Sequence, residues 1–376
     1  MHRPAQRDER CVARLGADDT SRRITPLATD NCTRHPEDDF MMHARRVWRG
    51  LVAALLILTA MSVRAQVDYS AYGILDFSYG RFEPSGTYRQ NRFNSNSMTA
   101  SFVGVNGSYG FDGGWKPGFT LETFVRFQDF QTGRRESDPL FSRKAFASLA
   151  SNYGTVSIGR LQTLLFDTTA RFNALGNSVA FSPAIRHIFA SGNLEGVQND
   201  FYWNRAVGYA SPNLEGVTAN VMYGKGPNDQ SGDLTGANIV LSKGLFAAAL
   251  SAQRVHVNDG INDPTDESTW QLGATYNFGL ARIFGLYTQT NDRGLDVRSK
   301  ISTAGLAVPV GPGTLQAQFG YTTATGPAVD RKHTSMSAAY LYAYDSVTEI
   351  YLVGMDDRIR GQTKGLSVAG GVRFRF

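Results

Sequence analysis

Cysteine is almost missing from this 376-residue chain: Cys11 and Cys32 are the only two. Both precede residue 65, so nothing beyond that point can form a disulfide. Long apolar runs are missing as well. After residue 65 no stretch approaches the roughly 20 apolar residues that a spanning helix needs, which excludes a helical membrane protein. Histidine is scarce, with only His187, His256 and His333 after residue 65. No His-Glu-x-x-His, no Gly-x-Ser-x-Gly and no cysteine ligand set accompanies them, so metal and nucleophilic chemistry have no motif and no cofactor is expected. A strong charge of one sign is missing too. Eleven of the 38 Lys+Arg and eight of the 33 Asp+Glu fall in residues 1–65, leaving 27 against 25, a net +2. A nucleic-acid partner therefore loses its electrostatic footprint.

What is present begins at residues 51–60, the apolar block Leu-Val-Ala-Ala-Leu-Leu-Ile-Leu-Thr-Ala. Arg45, Arg46 and Arg49 precede it, and Val63-Arg64-Ala65 follows as a small-x-small pattern. Basic region, short apolar core and cleavage pattern read as a secretory signal peptide. A buried core helix is the alternative, and the flanking arginines and Ala65 argue against it. The expected organisation is an upstream extension from a mis-assigned start at 1–40, a signal peptide at 41–65 cleaved after Ala65, and one domain at 66–376. No Pro/Ser-rich linker divides that last region. Export into an oxidising compartment without disulfides means that something else must hold the fold together.

The mean hydropathy of −0.26 is mild, as expected where strands alternate apolar and polar residues. The alternation recurs along the chain. Leu315, Ala317, Phe319 and Tyr321 share one face, against Gln316, Gln318, Gly320 and Thr322. Trp270, Leu272, Ala274, Tyr276 and Phe278 oppose Gln271, Gly273, Thr275 and Asn277. Leu366, Val368, Val372, Phe374 and Phe376 oppose Ser367, Arg373 and Arg375. Tight turns such as Gly311-Pro312-Gly313 alternate with longer polar connections such as residues 225–235, 258–267 and 323–331. A soluble sandwich shares the two-faced strands, but aromatic strand ends and alternating loop lengths favour a membrane. The spacing predicts an all-β fold: a transmembrane antiparallel β-barrel of about sixteen strands, each about ten residues long. Hydrocarbon tolerates no unpaired backbone edge, so the sheet must close, and a barrel of that size keeps a lumen.

Several segments resemble the general porins of the Gram-negative outer membrane, in particular the beta-proteobacterial group. They are Ala71-Tyr72-Gly73-Ile74-Leu75-Asp76, Gly154-Thr155-Val156-Ser157-Ile158-Gly159-Arg160, Tyr209-Ala210-Ser211-Pro212-Asn213 and the terminal Gly371-Val372-Arg373-Phe374-Arg375-Phe376. The resemblance spans the chain after the signal. It implies an outer-membrane homotrimer, surrounded by lipid and lipopolysaccharide, that passes small hydrophilic solutes. It implies a C-terminal Phe376 read by the barrel-assembly machinery, and a long third loop folded into the pore. Residues 162–204 match that loop, and Phe166, Phe172, Phe181 and Phe189 argue that it is ordered.

Strand phase nominates the charges of the constriction. With Phe119, Leu121 and Val125 toward lipid, Glu122 and Arg126 face the lumen. With Phe146 toward lipid, Arg143 points inward, where the resemblance also implies a wall arginine. Arg373 and Arg375 are inward by phase. Across from them Asp167, after Phe166, matches the family's loop start. Arg160 has the phase of Val156 and Ile158, which is outward. An arginine there costs about 2–4 kcal/mol at mid-depth, so it is expected at a subunit contact. The family's wall arginine on the second strand is absent: Ser101, Phe102 and Val103 stand there, which leaves ion preference open. Three rival readings are a substrate-specific channel, a plugged structural barrel and a barrel-embedded enzyme.

Overall fold

In the computed structural model, residues 67–190, 201–226, 232–257 and 265–376 are described. The expected signal peptide and upstream extension lie outside them, as do residues 191–200 of the long loop and residues 227–231 and 258–264 of two connections. The compact unit runs from Gln66 to Phe376.

The strands follow in chain order: β1 (Val67–Phe82), β2 (Gln90–Asn94), β3 (Phe102–Tyr109), β4 (Lys116–Arg126), β5 (Gln131–Thr132), β6 (Lys144–Ser151), β7 (Gly154–Gln162), β8 (Tyr202–Ala210), β9 (Val217–Lys225). Then come β10 (Asp233–Lys243), β11 (Phe246–Val257), β12 (Thr265–Asn277), β13 (Arg282–Asp292), β14 (Val297–Val310), β15 (Gly313–Gly326), β16 (Val329–Ala343), β17 (Thr348–Ile359) and β18 (Gly365–Arg375). Each pairs antiparallel with its neighbours, and β1 returns to β18, so the sheet is closed. β2 and β3 are two parts of one interrupted strand beside β1, and β5 is a two-residue addition to β4. Sixteen strands therefore form the barrel. Among the described residues no helix is long and apolar enough to cross a membrane.

The expected stripes point outward. Leu272, Met336, Leu352 and Leu366 are exposed, whereas Gln271, Ser337, Val353 and Ser367 are buried on the inner face. The connection at 323–331 is not a long loop. β15 and β16 stay paired up to Gly326 and Val329, leaving two residues in the turn. Polar residues there extend two strands beyond the apolar band, which sequence polarity alone does not separate from a loop.

The seam between β1 and β18 is completed by the last residue. The Gly73 N–H donates to the Phe376 carbonyl at 3.0 Å, and the Phe376 N–H donates back to the Gly73 carbonyl at 3.2 Å. A Cβ on Gly73 would lie 2.7 Å from the Phe102 carbonyl oxygen and 2.7 Å from Phe376 Cζ. The ring could turn away, but a laddered backbone carbonyl cannot. Gly73→Val is thus expected to cost roughly 1–3 kcal/mol or more by overpacking. It should reduce the heat-resistant folded form seen on semi-native SDS gels, and a wild-type level of that form would refute the seam argument.

Between β2 and β3 the wall folds inward. Ser95, Ser97, Met98, Thr99 and Ser101 are all buried. One carboxylate organises this bulge: Asp76 accepts the N–H groups of Ser97 (3.3 Å), Met98 (3.0 Å) and Thr99 (2.9 Å) and the Tyr351 hydroxyl (2.6 Å). A buried carboxylate is tolerable when it collects several donors in this way.

Candidate functional site

After β7, residues 163–190 turn into the barrel. Thr163 caps helix α1 (Leu164–Arg171), its hydroxyl accepting the Phe166 N–H at 3.3 Å. A single turn α2 (Pro183–Ile185) and a π-helical turn Arg186–Ala190 follow. These elements bond to inner faces of the wall. Asn238 Nδ2 donates to Thr168 Oγ1 (3.3 Å), Gln271 Nε2 to Thr169 Oγ1 (2.8 Å) and Ser337 Oγ to the Phe181 carbonyl (2.7 Å). On the opposite side Ser178 Oγ donates to the Ser97 carbonyl at 2.5 Å, so the loop also touches the β2–β3 bulge. Apolar contacts complete the seat: Phe181, Leu175 and Ala174 pack with Met98, Val353 and Met355.

Two histidines lock the loop to β16 and β17. His187 lies flat on His333, with ring centroids 3.9 Å apart and planes 12° from parallel. Its Nδ1 meets Thr322 Oγ1 at 2.6 Å and its Nε2 meets Ser335 Oγ at 2.8 Å. Burial, aided by the neighbouring His333, holds the His187 imidazole well below its usual protonation range. Asp357 accepts from His333 Nε2 (2.7 Å), Ser335 Oγ (2.5 Å), Arg186 Nη2 (3.2 Å) and the Ser85 N–H (3.0 Å). Serine, histidine and aspartate are adjacent here, but His333 offers the same nitrogen to both Ser335 and Asp357. A hydrolytic triad needs the two opposite ring nitrogens, one for the serine and one for the acid. His187, His333 and Asp357 also have metal-ligand types within 4.8 Å of one another. The Arg186 guanidinium already on that carboxylate would oppose a second cation, so the cluster reads as a loop anchor.

Opposite α1, charged side chains gather on the inner face of β4 and β6. Glu122 is 3% exposed, ion-paired with Arg143, and accepts the Tyr72 hydroxyl at 2.6 Å. The Arg143 guanidinium lies 4.0 Å from the Phe102 ring centroid. Sequence phase puts Phe146 on the lipid side, and the structure reverses this. Phe146 pairs across from Thr120, on the Glu122 face, and packs inside against Leu161, Trp203 and Met222. The physical reason is the loop: its Leu164 fills part of the lumen, so that stretch of inner wall is apolar. Lys144 shares the inward phase of Phe146 and sits directly across the ladder from Glu122. Arg143 reaches Glu122 from just before the strand. The signal for Lys144 was available in its spacing from Phe146 and was hidden by assigning the aromatic to lipid.

Asp167 projects from α1 into the wet lumen, exposed although deep within the barrel, and bonds to Gln162. Lys144 and Arg143 are the cations that act on it electrostatically. A second charged cluster surrounds Glu349 on β17. Arg373 pairs with Glu349 and donates to Thr99 Oγ1 at 2.7 Å, and Arg375 lies 3.9 Å from the same carboxylate. Arg126 is drawn aside, 3.0 Å from Asp129. Arg160 stands at the irregularity of β7 between Gly159 and Leu161. It donates to the Ser142 carbonyl (2.7 Å), the Tyr202 carbonyl (3.3 Å) and Asn204 Oδ1 (2.8 Å), which secures backbone near the loop entrance.

Comparison with known proteins gives a consistent result. A family model described as Gram-negative porin matches residues 52–362. Outer membrane porin protein 32 of Delftia acidovorans is 28% identical over 345 residues, covering 86% of this chain and 95% of that protein. Among solved structures, an anion-selective porin from Comamonas acidovorans superposes with a TM-score of 0.70 at 22% identity, covering 82% of this chain and all of that one. OmpT of Vibrio cholerae in a trimer form gives 0.63 at 14% identity, covering 83% of this chain and 100% of that one.

Proposed function

The chain belongs to the Gram-negative porin family, and from that premise we propose that its channel passes small anions somewhat more readily than cations. It is an outer-membrane protein whose barrel forms a water-filled path for passive diffusion of small hydrophilic solutes and ions. One observation carries the proposal. Across the two wall clusters four cations stand against three carboxylates: Arg143 and Lys144 with Glu122 and Asp167, and Arg373 and Arg375 with Glu349. Asp167 faces the first cluster and gives the constriction a transverse field. Charges around a narrow aqueous gap set which ion enters.

The same reading includes a homotrimer, with Arg160 near a subunit contact, cleavage of residues 41–65 as a signal peptide, and recognition of Phe376 during assembly. The trimeric form among the solved relatives supports the first. The exposed Phe376 ring, 6.1 Å from Phe374, supports the last. A channel without catalysis is favoured over a hydrolase by the shared His333 nitrogen. A general pore is favoured over a substrate-specific one because the exposed aromatics mostly face lipid.

Planar bilayers test this. Purified protein should open large ohmic steps in groups of three, with a reversal potential on the anion side of zero in a potassium chloride gradient. A cation-side reversal potential would overturn the preference, and a folded barrel without conductance would overturn the open channel.

A further inference from the structure

We propose that the outer wall of β14–β16 carries a binding site for the phosphate groups of an outer-leaflet glycolipid. The proposal rests on the barrel reading above, deepens its lipid contact, and starts from the cross-strand register. Trp270, Gln289, Lys300, Thr323 and Lys332 pair in succession across β12 to β16 and form one outward row. Lys300 and Lys332 are exposed, with the Thr323 hydroxyl between them. The two lysine positions are two strand spacings apart, about 9–10 Å. Arg298 continues the same outward face two residues farther out.

Depth identifies the partner. The row contains Trp270, and one row inward come Tyr287 and Tyr321, with Trp270 and Tyr287 rings 5.2 Å apart. Aromatics of this kind mark the level where hydrocarbon gives way to head groups. Below them Phe319 and Met336 are exposed and apolar. The lysines therefore stand at head-group level at the barrel end opposite the chain's C-terminal strand end.

Nearby carboxylates are already engaged. Asp330 pairs with Arg360, and Asp356 pairs with Arg358 and Lys364. Among the described residues no ion pair involves Lys300, Lys332 or Arg298. Two ammonium groups flanking a hydroxyl at this depth complement a phosphate, and basic side chains at a membrane surface attract anionic head groups.

The test uses the folded full-length protein in detergent micelles, with diphosphorylated lipid A as probe and the same lipid stripped of phosphate as control. Retention is read by native mass spectrometry. Wild type should retain the phosphorylated lipid, and Lys300→Ala/Lys332→Ala should weaken retention about tenfold or more. Lys243→Ala, at a turn on the other rim, should match wild type. Equal retention by all three proteins, or equal retention of the stripped lipid by wild type, would overturn the site. Channel conductance is read in parallel and should not change in the double variant, so failure here is distinct from failure of the channel reading.

Discussion

Lys144→Glu should move the channel's reversal potential to the cation side of zero. Lys144 faces Glu122 across the ladder, and both it and Arg143 act on Asp167. The substitution changes the local charge by two units and sets three carboxylates against Arg143 alone. In a tenfold salt gradient a perfectly selective pore reaches about 59 mV, and a shift of tens of millivolts toward that cation limit is expected. The effect should shrink as salt rises, because the screening length falls from about 10 Å at 0.1 M to about 3 Å at 1 M. Asp167→Asn should shift selectivity the opposite way, and Lys144→Gln should fall between Lys144→Glu and wild type. An unmoved reversal potential in Lys144→Glu at low salt would remove Lys144 from the constriction.

The second large effect concerns the anchor of the inward loop. Asp357→Ala deletes the acceptor shared by His333, Ser335, Arg186 and the Ser85 N–H. Asp357 is 1% exposed, so Arg186 loses a buried partner, a change that typically costs about 3–5 kcal/mol. The strand ladder does not depend on this carboxylate. The barrel should therefore keep its heat-resistant folded form while the loop loosens. Single-channel records should show higher and noisier conductance, and added protease should cut within residues 162–204. Asp357→Asn keeps hydrogen-bonding capacity without the charge and should give a milder version. Quiet, wild-type records from Asp357→Ala would mean that the apolar contacts of Phe181 and Leu175 hold the loop by themselves.

Much of the barrel was readable from sequence because a strand at a membrane has only two environments, and period-two alternation reports both. Gln271, Ser337 and Arg373 are inward for that reason, and Leu272, Met336 and Phe374 outward. The reading failed where a third environment exists. Phe146 and Trp203 are apolar yet face inward, because the loop turns part of the lumen into a dry interior. Assigning Phe146 to lipid also passed over Lys144, which shares its inward phase. The inward bulge at Ser95–Ser101 was unreadable for a different reason: its small polar residues look like a turn, and it is the Asp76 carboxylate on the neighbouring strand β1 that gathers the N–H groups of Ser97, Met98 and Thr99. The stacked His187–His333 pair joins a loop to a distant strand, a contact that no local periodicity encodes.

The bond pair between Gly73 and Phe376 has a consequence for how the molecule comes into being. The ring is fastened by groups from near the start and from the very end of the compact unit, so synthesis in order cannot finish it. Until Phe376 is in place, one flank of β1 and one of β18 remain raw hems, ready to stitch to any other extended chain. Long-separation pairings of this sort are slow to form. The closing stitch is therefore among the last contacts the chain can make.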